Sequence, residues 1–368
     1  QGLGLVGGTS VRGDGVLFVM PGPSPGRGPA GAVGKIWQRL KRLSGNGILI
    51  QAVGIPFRHS LALYGIYLLV SGHVGAKTVL FSVFLWIVSG LGVTAGAHRL
   101  WTHQSYKVTP CMEALLIVMF SIADQGAIEG WALTHAMHHS ASDTPADPHD
   151  RTQGWWHAHF GWLYSAQQFR LTSADYHRVT EGLSPLVRLH DSISLAWDPL
   201  WSHGMPALVA SCWGEAANGF FVAGALRWMF VQHVTFFVNS VAHGPREAGD
   251  PHSFDASADG IGPRVSLLTT VLALGEGWHD YHHLFPWDYA AAELDSWDQW
   301  NPTKMFIDAC AVVGLTSNRR RCSMSLQLAR RAQLAGLDRS REKPEAWTKV
   351  GPPFLRHRVK TAATTVTC

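Results

Sequence analysis

The strongest constraint on the fold is an uninterrupted apolar run. Thr78 to Ala97 reads TVLFSVFLWIVSGLGVTAGA, twenty residues without a charge, which as a helix is long enough to cross a bilayer's hydrocarbon core. Leu61 to Val74 is also uncharged, and Lys77 punctuates the two, so they read as a helical hairpin. A second block, Pro199 to Ala242, is broken only by Glu215 and Arg227 and has polar Glu215 and Asn218 near its middle. It reads as a second hairpin, and the expected spans are 55–75, 77–97, 199–215 and 218–240. Only 15% of the 368 residues are charged, against about 25% in ordinary soluble domains. Two paired sets of runs therefore favour membrane spans over the core helices of a soluble enzyme.

Basic residues near span ends favour the cytoplasmic side. Lys35, Arg39, Lys41 and Arg42 precede the first hairpin, while Arg319, Arg320, Arg321, Arg330 and Arg331 follow the second. Both termini are thus expected in the cytosol. These runs flank spans and lack interleaved aromatics, so they suit anionic headgroups and argue against nucleic acid as a partner. The cysteines Cys111, Cys212, Cys310, Cys322 and Cys368 show no CxxC spacing, which suggests neither a disulfide framework nor a cysteine zinc site. Three regions are expected: a flexible N-terminal region, 1–50, Gly/Pro-rich, with a targeting remnant as one reading of it; a membrane domain, 51–316; and a basic, flexible cytosolic tail, 317–368.

Nine of the twenty histidines fall into compact groups. His98 and His103 sit in HRLWTH, His135, His138 and His139 in HAMHH, His243 in NSVAH, and His279, His282 and His283 in HDYHH. The first two groups follow the second expected span and the last two follow the fourth. Two crossings return the chain to the same side, so all nine share one face, and the charge rule makes it cytosolic. On a helix, i, i+3 and i+4 lie on one side, so each HxxHH triplet can face another. His98 and His103, five apart, are off that register and are expected to serve two metals or to straddle a helix end. Imidazole suits iron, zinc or copper, but nine imidazoles exceed what one tetrahedral zinc can use and suit two ions. Glu276, three residues before His279, is read as a carboxylate that orients an imidazole. The histidines at 149, 157, 159, 190, 203, 233, 252 and 357 match none of these patterns and are expected to be ordinary core or surface residues.

These segments closely resemble the type 1 fatty acid desaturases, the acyl-CoA or stearoyl-CoA delta-9 desaturase-like family. The matching stretches are GVTAGAHRLWTH (92–103), HxxHH at 135–139 followed by SDTPADPH, CWGE (212–215), NSVAH (239–243) and GEGWHDYHHLFPWDY (275–289). The resemblance runs from about residue 55 to 316. It implies an all-α integral membrane protein, with four transmembrane helices in two hairpins and a cytosolic helical cap that holds a histidine-rich dimetal centre. The implied ligands of two iron ions are the nine histidines above, with Asn239 acting through water. The implied reaction inserts a cis double bond, commonly at the ninth carbon, using O2 and two electrons. An unactivated methylene has no acidic proton, so an oxygen-activating metal cofactor must carry the step while the protein supplies position.

Trp131 matches the family's aromatic position and is expected to line the tunnel mouth. The family commonly places basic residues before the first HxxHH and after an HVGW-like segment, to meet the phosphates of coenzyme A. Here Leu133 and Thr134 precede His135, and only Arg170 lies near HFGWLYSAQQFR, which leaves the carrier open between acyl-CoA and another acyl carrier. Met112 to Ala127 reads either as an interfacial amphipathic helix or as a core helix of the cap. The chain has no HPGG-type haem segment, so a separate electron donor is expected, either cytochrome b5 with its reductase or a ferredoxin. The expected location is the endoplasmic reticulum membrane, with a plastid membrane as the alternative. Competing readings are a membrane di-iron hydroxylase, a sphingolipid desaturase, or a non-catalytic zinc-binding membrane protein.

Overall fold

The computed structural model describes residues 48–165, 171–250 and 252–336. All but residues 48–50 of the expected N-terminal region lie outside the described residues, as do Arg170 and residues 337–368. The fold is helical, with two short antiparallel ribbons. The helices that build it are α1 (Ile48–Val70), α2 (Ala76–Leu91), α3 (Pro110–Ala123), α4 (Ile128–Ala141), α5 (Pro185–Pro199), α6 (Arg227–Ser240), α7 (His279–Leu284), α8 (Pro302–Val312) and α9 (Met324–Leu334). Strand β1 (Lys107–Val108) pairs with β4 (Thr316–Ser317), and β2 (His243–Arg246) with β3 (Gly260–Pro263).

Among the described residues, three helical stretches are long and apolar enough to cross a membrane: Val53–Val70, Ala76–Thr102 and Ala216–Ser240. The expected span 199–215 is not among them. It forms the far end of a helical run that starts at Pro185 and ends at Ser211, and its first half carries Arg188, Asp191 and Asp198. The bent pair α3 and α4 would add a fourth crossing if counted as one span. Polar contacts join the two hairpin tips. The Glu215 carboxylate accepts from the Gly75 N–H at 3.0 Å and the Thr78 hydroxyl at 2.5 Å, and Asn218 Nδ2 donates to the His73 carbonyl at 2.8 Å.

The stretch after α2 does not stop at 97. It continues as a π-helix, Gly92–Thr102, and runs directly into the histidine region. The expected helix over 112–127 is shorter: α3 ends at Asp124, whose φ of 50° is left-handed, and α4 leaves at 81°. Buried Met112, Leu116, Met119 and Phe120 place α3 in the main apolar cluster with Val93, Ala97, Trp101 and Ile128, which favours the core-helix reading. The N-terminus of α4 is capped from α5, because the Asp191 carboxylate accepts from the N–H groups of Ile128 and Glu129 at 2.8 and 2.9 Å and so satisfies donors the helix cannot.

Residues 317–336 correct the expectation of a flexible tail. Arg321 pairs with Asp288 at 3.0 Å, Arg331 of α9 pairs with Glu293 at 2.7 Å, and Gln327 Nε2 donates to the Tyr281 hydroxyl at 3.2 Å. The segment is part of the folded body because it supplies the counter-charges of two buried carboxylates.

Candidate metal centre

Four local structures bring the nine histidines together. The π-helix carries His98 and leads into His103, α4 carries His135, His138 and His139, β2 opens with His243, and α7 carries His279, His282 and His283. Five of them, His98, His103, His135, His139 and His282, place a ring nitrogen of each within 4.8 Å of all the others; His138, His243, His279 and His283 do the same. The two groups are adjacent, since the rings of His139 and His283 stack at 4.2 Å.

The groups exchange members. Helix α4 gives its i and i+4 histidines to the first group and its i+3 histidine to the second, and α7 does the reverse. The residues between them anchor each helix. Ala136 and Met137 are buried with Leu133 and Val179, while Asp280 accepts from Ser253 Oγ at 2.7 Å and the Tyr281 hydroxyl donates to Asp288 at 2.8 Å.

His98 and His103 belong to one group, with His103 at the C-cap of the π-helix, so of the two expected arrangements the pair takes the one that straddles a helix end rather than serving two metals. In the π-helix the His103 N–H bonds the His98 carbonyl at 3.1 Å, an i to i+5 link. This wider turn stacks residues five apart, and no α-helical register would do so.

Nε2 atoms face one another within both groups. The separations are 2.9 Å for His98 and His282, 3.1 Å for His103 and His135, 3.0 Å for His139 and His282, and 3.1 Å for His138 and His243. Lone pairs turned inward at this spacing repel unless a proton or a cation lies between them. The charged, doubly protonated form is disfavoured, because burial pushes His103, His279, His282 and His283 well below the ordinary imidazole range. Buried, neutral, convergent imidazoles are the donor set of a metal site.

Carboxylates fix the rings from behind. His138 Nδ1 lies 2.8 Å from Asp147, His243 Nδ1 2.7 Å from Asp143 and His98 Nδ1 3.0 Å from Glu276, the arrangement that turns Nε2 inward. The Glu276 carboxylate therefore meets His98, from the π-helix, rather than His279 three residues on. Burial alone would raise its pKa, but Arg99 and His98 outweigh that and hold it at about 2. Arg99 donates to Glu276 at 2.7 Å and to the Tyr289 carbonyl at 2.9 Å. Asp143, Asp147 and Arg99 are not singled out by the sequence patterns, although the two aspartates lie in SDTPADPH, which begins three residues after the last histidine of HAMHH. His149 also lies closer to the site than expected, its ring 5.4 Å from that of His138.

An apolar cavity opens beside the first group. His98 and His135 line it, with Trp86 from α2, Trp131 from α4, and Val234 and Asn239 from α6. Trp131 and Asn239 therefore both reach the site, whereas Arg170 lies outside the described residues. The arrangement brings an apolar cavity against the histidine cluster.

A family model described as "Fatty acid desaturase" matches residues 75–299. The chain is 37% identical to an acyl-CoA Delta(11) desaturase of Trichoplusia ni, covering 70% of this chain and 72% of that protein. It is 37% identical to stearoyl-CoA desaturase 5 of Bos taurus, over 75% and 80%, and 35% identical to an acyl-CoA Delta-9 desaturase of Acheta domesticus, over 76% of each. Matches of this extent, which take in every histidine group from His98 to His283, show that the chain belongs to the fatty acid desaturase family.

Proposed function

We propose that this enzyme inserts a cis double bond at the ninth carbon of a saturated fatty acyl-CoA, using O2 and two electrons, at a di-iron centre held by the nine histidines. The observation that carries the reading is the pairing of adjacent five- and four-imidazole groups, the first of which opens onto an apolar cavity through His98 and His135. Five nitrogens in one group exceed the four of a tetrahedral zinc site, which supports iron. Bound iron would supply the activation of O2 that removal of hydrogen from an unactivated methylene requires. The protein's part is placement. Asp143, Asp147 and Glu276 aim the imidazoles, Asn239 on the cavity wall would help hold one ion through water, and the cavity walls would hold one pair of methylenes beside His98 and His135 while excluding bulk water.

Four spans in two hairpins, with the histidines and both termini cytosolic in the endoplasmic reticulum, complete the proposal. The joined tips at Gly75 and Glu215 support it. Electrons come from a separate donor, cytochrome b5 with its reductase. Expression in yeast lacking its own desaturase tests the reaction. Mass spectrometry should find new monounsaturated chains with the bond at carbon nine, and His138→Ala should abolish them. A hydroxylated chain without a new double bond would instead identify a hydroxylase.

A further inference from the structure

Ionisable side chains inside a membrane span are costly and concentrate at sites with a function. Arg58 of α1 and Arg227 of α6 both reach the last turn of α3. Arg227 donates to the carbonyls of Ile122 at 2.7 Å and Ser202 at 2.8 Å, where the negative end of a helix dipole favours a cation. Arg58 Nη1 pairs with the Asp124 carboxylate at 2.9 Å, and the same oxygen accepts from Ser202 Oγ at 2.8 Å. The Asp124 carbonyl accepts from Gln232 Nε2 at 3.0 Å and Trp228 Nε1 at 3.3 Å. Together these contacts hold Asp124 at φ 50°, a conformation that a non-glycine residue keeps only when its surroundings over-determine it.

The consequence falls on the next residue. Gln125 Oε1 accepts from Trp131 Nε1 at 3.0 Å, and its Nε2 donates to Thr235 Oγ1 at 2.8 Å. Trp131 and Thr235 belong to the cavity walls contributed by α4 and α6, at the level of His98 and His135. A chain of direct contacts therefore runs from an arginine in the first span to the spacing of the walls where an acyl chain would meet the histidines.

We propose that the Arg58–Asp124 pair is a positioning device for the site of desaturation. By fixing Gln125 it sets the spacing of Trp131 and Thr235, and with it which pair of methylenes lies beside His98 and His135. The proposal rests on the desaturase reading above. Neighbouring methylenes are chemically alike, so location alone can discriminate between them.

Wild type, Arg58→Met, Arg58→Lys and Ser202→Ala are to be expressed in yeast lacking its own desaturase, and double-bond positions read by mass spectrometry against the amount of accumulated protein. A wild type that makes no new double bond would overturn the desaturase reading itself. With product formed, Arg58→Met should raise the share of displaced isomers about tenfold, equivalent to about 1.4 kcal/mol of lost positional discrimination. Arg58→Lys should return the ratio towards wild type. Ser202→Ala, which removes the hydroxyl's hydrogen bonds to Asp124 and His203 but no charge, should shift it in the same direction as Arg58→Met and carries the test if the latter does not accumulate. Wild-type isomer ratios in every accumulating variant, with product falling only in step with protein, would overturn the proposal and leave the pair a purely structural contact.

Discussion

A neutral imidazole offers one lone pair, and the partner of its other nitrogen decides where that lone pair points. Asp143 makes this choice for His243 at 2.7 Å. Asp143→Ala should therefore weaken metal binding to the group of His138, His243, His279 and His283 about 10- to 100-fold and leave the five-histidine group loaded. Metal titration of the purified variant checks this, and equal weakening of both groups would contradict it. His190, in the cap ahead of the apolar stretch that begins at Pro199, behaves differently. Burial opposes its charge, but the hydrogen bonds and charges of Asp191 and Asp198 outweigh this and push it up to about 9. The unfolded value is about 6.5, so the stability it contributes is full below that pH and is lost as pH rises through about 9. The unfolding temperature should fall across that window, and His190→Gln should lack this fall; parallel profiles for the two proteins would contradict the assignment.

At the level of elements, the π-helix decides the site, because it puts His98 and His103 in one group. Its first residue is also a close-packing point: a Cβ on Gly92 would lie 2.3 Å from the Met119 carbonyl carbon and 2.4 Å from the Phe120 nitrogen. Neither backbone atom can yield cheaply, so Gly92→Ala should cost about 1–3 kcal/mol by overpacking and displace both histidines. Product per amount of folded protein should then fall more than the protein level does; a fall in protein level alone would contradict this. These elements also mark the limit of sequence reading. HxxHH announces itself because α-helical periodicity places i, i+3 and i+4 together. The five-residue step from His98 to His103 does not, since nothing local in HRLWTH distinguishes an i to i+5 turn from an α-helical one. Helix α9 was unreadable for a different reason: its reason to fold is Glu293 and Tyr281, some forty residues upstream, and its own basic sequence looks like a solvated tail.

On the scale of the whole molecule, apolar runs and their spacing lead to the expectation that every histidine group shares one side, because an even number of crossings would restore the face, and the structure does gather all nine histidines into two adjacent groups. The expected span 199–215 was less legible, since it continues a helical run that begins at Pro185 with charged residues, of which Asp191 serves α4. Opposite placement of the tips and the histidines gives a topological prediction. A glycosylation sequon in the 71–75 loop should be modified in microsomes, and one in the 246–260 hairpin should not; the reverse pattern would invert the orientation. The central claim, two adjacent ions held by exchanged histidines, is tested most directly by the metal content of protein purified from iron-replete cells. Two iron ions per chain are predicted, whereas a single ion per chain, or zinc in place of iron, would contradict the account.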